Sequence, residues 1–306
     1  MVTARREIPL PELIDLRLPR IRVLHFTWFA FFLAFFTWFN MAPLATTVLK
    51  NNGWLTLENI RVLAICNVAL TIPARIVIGA IIDRFGPRVS YSALLITMSI
   101  PTFVFAYAET WMTLLVSRLV LSGIGAAFVI GIRMTAEWFP PKDVGKAEGF
   151  YAGWGNFGSA AAAMMLPWVA LTLFGGADGW RHAIALSGVA CLVYGIVYYF
   201  AVRDTPEGKP FVGAKKTQPM TVSSYGDLIQ LIVWSFPLVG GLGLLAWRLN
   251  RMGFLTDDLL YVSYGILILV YVAHCAKIIQ VNLPLLKLGV PPDDRYSFTD
   301  VAALNT

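Results

Sequence analysis

The sequence is 306 residues long, 58% hydrophobic and only 14% charged, with 24 Lys and Arg against 18 Asp and Glu. Soluble domains carry about a quarter charged residues, so this composition excludes a disordered chain and an ordinary water-soluble enzyme. Cys66, Cys191 and Cys275 lie far apart, each in an apolar run, with no Cys/His spacing suited to a metal or a disulfide framework. They read as buried free thiols, and the net charge of +6 gives no sign of a nucleic-acid partner.

In chain order, residues 1–22 form a polar tail with Arg5, Arg6, Arg17, Arg20 and Arg22. Eight apolar segments follow, near 23–46, 60–82, 89–108, 112–136, 149–173, 183–202, 228–247 and 259–281. Each reaches the ~20 residues that a membrane helix needs. The first is too long and too aromatic for a signal-peptide core, so it reads as a retained span. Backbone groups must satisfy one another in lipid, which predicts an all-α polytopic membrane protein. The expected organisation is a tail at 1–22, a six-span half at 23–203, a linker at 204–227 rich in Pro and Gly, a two-span insertion at 228–281 and a polar segment at 282–306. Ser297 to Asp300 precede Val301-Ala-Ala-Leu304 as caps would precede a further helix, so the chain reads as part of a longer protein.

Basic residues set the orientation. The tail, Arg84 and Arg88, Lys142 and Lys146, and Arg203, Lys209, Lys215 and Lys216 fall on one side of the six spans. Only Lys50, Arg61 and Arg181 fall on the other. The tail is therefore expected in the cytoplasm and the chain in the plasma (inner) membrane.

Charges inside spans are costly and mark cavities or partners. Arg118 sits near the outer end of its span and reads as snorkelling outward. Arg133 has Glu137 one turn on and reads as its ion-pair partner. Arg75 has neither escape. It lies eight residues before Asp83, about 12 Å from the end of its span at ~1.5 Å per residue, with no acidic residue in that span. It is the candidate anion ligand. Span five opens with Gly149-Phe-Tyr-Ala-Gly-Trp-Gly-Asn-Phe-Gly158. Its Gly153-x-Gly155-x-x-Gly158 matches a dinucleotide pattern, but without the strand and βαβ unit that the pattern needs. No cofactor is expected. The glycines serve close helix packing, as Gly149-xxx-Gly153 would, or expose backbone to a substrate beside Asn156; the two uses are compatible. Asn156 is eight residues past Glu148, Phe128 nine before Glu137 and Phe35 thirteen past Arg22. That spacing puts a guanidinium, a carboxamide and two rings at similar depth, a set suited to a small flat monoanion. The first span also holds Phe26, Phe29, Phe31, Phe32, Phe36, Phe39, Trp28 and Trp38, so any one of its rings has more packing duties open to it than substrate duties.

The loop between spans two and three reads Gly79-Ala-Ile-Ile-Asp83-Arg84-Phe-Gly86-Pro-Arg88. Gly79 permits close helix approach, Gly86 suits a turn, and Asp83 can bond a helix N-terminus or a loop arginine. This loop resembles that of the major facilitator superfamily. With Arg75, with Ala152-Gly-Trp-Gly-Asn-Phe-Gly158, with Trp38-Phe-Asn-Met-Ala-Pro-Leu44 and with Asp204-Thr-Pro-Glu-Gly-Lys209, the chain resembles that superfamily's nitrate/nitrite porter family over residues 21–210. The resemblance implies a six-helix transporter half plus an extra helix pair, and uptake of nitrate or nitrite by alternating access. It implies that Arg75 is the first of two substrate arginines, that Asn156, Gly153, Gly155 and Gly158 line the path, that Phe35 and Phe128 wall it, and that Gly79, Asp83, Arg84, Gly86 and Arg88 form the gating loop. A C-terminal half would be the partner. The alternatives are a facilitator for another small anion and a non-transporting membrane module. A membrane enzyme is disfavoured, because His25, His182 and His274 lack a carboxylate partner of suitable spacing.

Overall fold

The computed structural model describes residues 10–207, 211, 221–222, 224–251 and 253–287. A 3-10 turn, Leu10–Ile14, precedes α1 (Pro19–Trp38), which Pro19 opens with a preset φ. The chain continues through α2 (Ala45–Asn51) and α3 (Leu57–Ala69) into α4 (Thr71–Ala106). Next come α5 (Trp111–Leu121), α6 (Ala127–Trp138), α7 (Pro141–Trp168) and α8 (Gly179–Ala201). The last two helices among the described residues are α9 (Tyr225–Arg251) and α10 (Asp257–Lys287).

Local chemistry places the boundaries. Thr56 caps α3 reciprocally with Asn59, its hydroxyl accepting the Asn59 backbone N–H at 3.2 Å while Asn59 Oδ1 accepts the Thr56 N–H at 2.8 Å. Thr110 caps α5 by accepting the Thr113 N–H at 3.2 Å. Between α5 and α6 the chain tightens to a 3-10 segment, Ser122–Ala126. There Gly125 admits the Trp38 ring, which would lie 2.7 Å from a Cβ.

Among the described residues seven helical runs are long and apolar enough to cross a membrane. The run Leu57–Ala106 breaks at Gly86, where φ is 80° and ψ 162°. That break makes two rods of it, so each of the eight expected apolar segments falls on a helical rod.

The chain divides into two units, Met1–Ala214 and Lys215–Thr306. In the first, α1 packs along α7 and α4 along α8. One apolar cluster gathers Phe31, Tyr91, Tyr151 and Tyr198; another gathers Leu44, Phe105, Leu114 and Trp180. In the second unit, α9 pairs with α10 through the Tyr271 hydroxyl on the Ile232 carbonyl at 3.0 Å, and through Asn250 on Asp257 at 2.9 Å. Only Leu228, Ala246 and Leu260 are buried apolar residues among those described in that pair, so most of its apolar side chains stand exposed rather than packed on one another. Cys66 and Cys191 are buried as expected, while Cys275 is only half-buried. The segment Ser297 to Asp300 lies outside the described residues.

Candidate functional site

Arg75 stands exposed on the first rod of α4. Its guanidinium carbon lies 5.8 Å from the centre of the Phe128 ring on α6, within cation–π range. Among the described residues Arg75 has no ion pair. The Phe128 ring is 5.7 Å from Phe31, and Phe31 is 4.6 Å from Phe35. Phe35 and Phe128 therefore belong to one aromatic wall, joined by a ring that spacing alone did not single out. Phe31 is buried, while Phe35 and Phe128 are half-buried at its edges.

Tyr151 of α7 fixes that wall. Its ring stacks on Phe31 at 4.8 Å and on Phe128 at 6.3 Å. Its hydroxyl donates to the Ala127 carbonyl at 3.1 Å and pairs with the Tyr91 hydroxyl at 3.2 Å. Gly131 makes room for it, since a Cβ there would lie 2.0 Å from Tyr151 Cζ. Tyr91 and Tyr151 thus join α4, α6 and α7 behind Phe128.

The glycines of α7 fall on two faces. Gly155 and Gly158 press on α1: a Cβ would lie 1.9 Å from Phe31 Cδ1 at one and 2.1 Å from the Phe32 carbonyl oxygen at the other. Gly149 and Gly153 meet nothing within 4 Å. The close packing expected of Gly149-xxx-Gly153 is made by Gly155 and Gly158 instead. Asn156 shares the exposed face with Gly153. Its amide donates to the Ala152 carbonyl at 2.7 Å, which leaves a second N–H and the carbonyl oxygen open.

Arg118 does not snorkel. It is 1% exposed and donates to Asn40 Oδ1 at 2.9 Å and to the Trp38 carbonyl at 2.7 Å. Phe105 lies 5.3 Å from its guanidinium carbon. Two neutral acceptors across the α1 terminus hold it. They are favoured over a long reach to water because both hydrogen bonds are made in a dry site. Arg133 pairs with Glu137 at 2.9 Å, as its spacing suggested. Arg181 ties the far end of the bundle by donating to the carbonyls of Ala106 and Ala108 at 2.9 and 3.0 Å.

In the loop, Asp83 and Arg84 are exposed, and a Cβ at Gly79 would meet nothing within 4 Å. The carboxylate that caps the second rod of α4 is Asp204, not Asp83. Asp204 accepts the Arg88 N–H at 2.7 Å, lies 3.8 Å from the Arg88 guanidinium, and leaves no space for a Cβ at Gly86. Arg88 also rests over Tyr199 at 4.8 Å.

The site is therefore a single unneutralised guanidinium over an aromatic wall on an open helix face. The family model "Major Facilitator Superfamily" matches residues 27–296. The chain is 46% identical over 292 residues to the nitrate/nitrite transporter NrtP of Nostoc punctiforme, covering 93% of this chain and 58% of that protein. It is 42% identical over 310 residues to the NrtP of Picosynechococcus, with the same shares covered. A high affinity nitrate transporter of Arabidopsis thaliana is 30% identical over 201 residues, 64% of this chain and 40% of that one. The chain thus spans 58% of the length of both NrtP relatives. The crystal structure of a bacterial homologue of the human lysosomal transporter Spinster, inward-facing and unoccupied, shares the fold with a TM-score of 0.53 at 19% identity, over 80% of this chain and 58% of that one. The chain belongs to the major facilitator superfamily and groups there with the nitrate/nitrite porters.

Proposed function

We propose that the chain carries the N-terminal substrate half of a secondary transporter for nitrate, with nitrite as a second substrate. The observation that carries this reading is Arg75, unpaired on an open face with its charge over Phe128. A guanidinium offers a planar fork of donors that matches a trigonal oxyanion. Asn156 has an open amide donor on the same exposed face of α7 as Gly153, and Phe35 and Phe128 supply the flat walls. Sulfate or phosphate would call for more positive charge than one arginine gives.

A C-terminal half facing Arg75 would complete the site, and rocking of the halves about a midplane site would move the ion. The arginine-rich end of the bundle would face the cytoplasm across the plasma membrane. There Asp204, Gly86 and Arg88 would act as a fixed joint beside the exposed Asp83 and Arg84. The extra pair α9–α10 would stand between the halves in sequence. The chemistry is transport, with no catalytic set and no cofactor required.

The test is uptake of isotopically labelled nitrate by the full-length protein in proteoliposomes, with competing anions. Uptake inhibited by nitrite, and indifferent to sulfate and phosphate at equal concentration, is expected. A folded protein that ignores nitrate, or that yields it to sulfate or phosphate, would overturn the reading.

A further inference from the structure

A groove of ≈ 390 Å³ runs along the outside of the bundle at the N-terminal end of α1, lined by Leu16, Phe26, Phe29 and Tyr194, with Arg22 at its rim. The polar atoms inside it are already engaged. The Tyr194 hydroxyl donates to the Phe26 carbonyl at 3.0 Å. His25, which also lines the groove, has one ring nitrogen on the Leu13 carbonyl at 2.8 Å and accepts the Trp28 N–H at 2.9 Å with the other. What remains is an apolar slot with one unsatisfied cation.

Arg22, like Arg17 and Arg84, has no ion pair among the described residues, but it alone of the three lines an apolar groove. Arg20 pairs with Glu12, Arg88 with Asp204, Arg133 with Glu137 and Arg203 with Glu207. The side chain of Arg22 is exposed and has no such partner among the described residues. It also edges a second, more polar groove of ≈ 470 Å³ at the tip of the bundle. There Glu207 is held by Arg203 at 2.6 Å, so its charge is compensated. Phe29 lies seven residues beyond Arg22, about 10 Å deeper along the helix. Beside the rim, Ile14 and Leu16 are 73% and 56% exposed, as befits a segment lying at a lipid interface.

We propose that Arg22 and this groove bind one anionic phospholipid, its phosphate on Arg22 and an acyl chain along Phe26, Phe29 and Tyr194. A cation at headgroup depth above an apolar slot matches both ends of such a molecule, and basic groups at a membrane surface attract anionic lipid. A zwitterionic lipid fits the slot but brings its own cation to Arg22. The site is independent of the anion-transport reading.

The experiment is native mass spectrometry of the purified chain in neutral detergent, titrated with phosphatidylglycerol or with phosphatidylcholine of the same acyl chains. Preferential retention of phosphatidylglycerol is expected. Arg22→Gln should weaken it about five-fold, in line with a single interfacial arginine. Arg61→Gln, an exposed arginine at the opposite end, should leave it unchanged, and Arg22→Lys should keep most of it. Arg22 is exposed, so the variants fold as the parent does; an unshifted thermal transition without lipid checks this. Equal retention of both lipids, unchanged phosphatidylglycerol binding in Arg22→Gln, or displacement by equimolar free glycerol phosphate would each overturn the proposal.

Discussion

Arg118 and Arg75 are both guanidinium groups set into apolar helices, one on α5 and one on the first rod of α4. Arg118 is buried: Asn40 and the Trp38 carbonyl accept from its two terminal nitrogens, the Phe105 ring lies over its face, and only its Nε is without a partner. Arg75 meets the Phe128 ring and otherwise open space, and has no hydrogen-bond partner among the described residues. The difference teaches how to tell a structural cation from a ligand-binding one. A buried arginine that holds backbone and amide oxygens stabilises the bundle. An arginine left without acceptors on an accessible face has its donors free for something that arrives. The same contrast divides α7, where Gly155 and Gly158 are pressed on α1 while Gly153 and Asn156 stand open.

The largest effect is expected at the closed arginine. Arg118→Ala leaves two buried acceptors without donors, at ~1–3 kcal/mol each, so the thermal transition in detergent should fall steeply. An unchanged transition would break the contrast at its root. The next effect belongs to the packed glycines. Gly158→Ala drives a Cβ against the Phe32 backbone and should cost about 1–3 kcal/mol by overpacking. Gly153→Ala should be silent in the same assay. If the two alanines destabilise equally, the division of α7 into two faces is wrong.

A smaller effect is expected at the joint of α4. Asp204→Ala removes the acceptor from the Arg88 N–H, and loss of a helix cap costs about 0.5–2 kcal/mol. Asp83→Ala, at an exposed carboxylate, should stay within ~0.5 kcal/mol of the parent. The reverse order in a thermal scan would return the capping role to Asp83.

Much of the fold was legible because hydropathy and length decide which segments cross a membrane. Gly86 was readable as a turn from its place between Asp83-Arg84 and Pro87-Arg88. Partners were not readable. Arg118 meets Asn40 across 78 positions, and Arg88 meets Asp204 across 116. Nothing in the span holding Arg118 announces that it docks on the Trp38-Phe-Asn40 segment. Among the rings of α1, helical spacing could not say that Phe31 faces α7, because that depends on where Gly155 comes to rest. Arg75 could be singled out from sequence for one reason: it had no local way of discharging its cost. Tyr151 carries no such anomaly, and its part in seating Phe128 appears only when Gly131 opens a place for it.

The central claim is that Arg75, alone of this contrasting pair, meets substrate. The direct measurement is labelled-nitrate uptake by full-length protein carrying Arg75→Lys, at membrane levels and thermal stability matched to the parent. Lysine keeps the charge and loses the planar fork. The loss of one charge-assisted hydrogen bond, ~1.5–3 kcal/mol, predicts that KM for nitrate rises at least about tenfold while the thermal transition stays put. An unchanged KM in that folded variant would contradict the account.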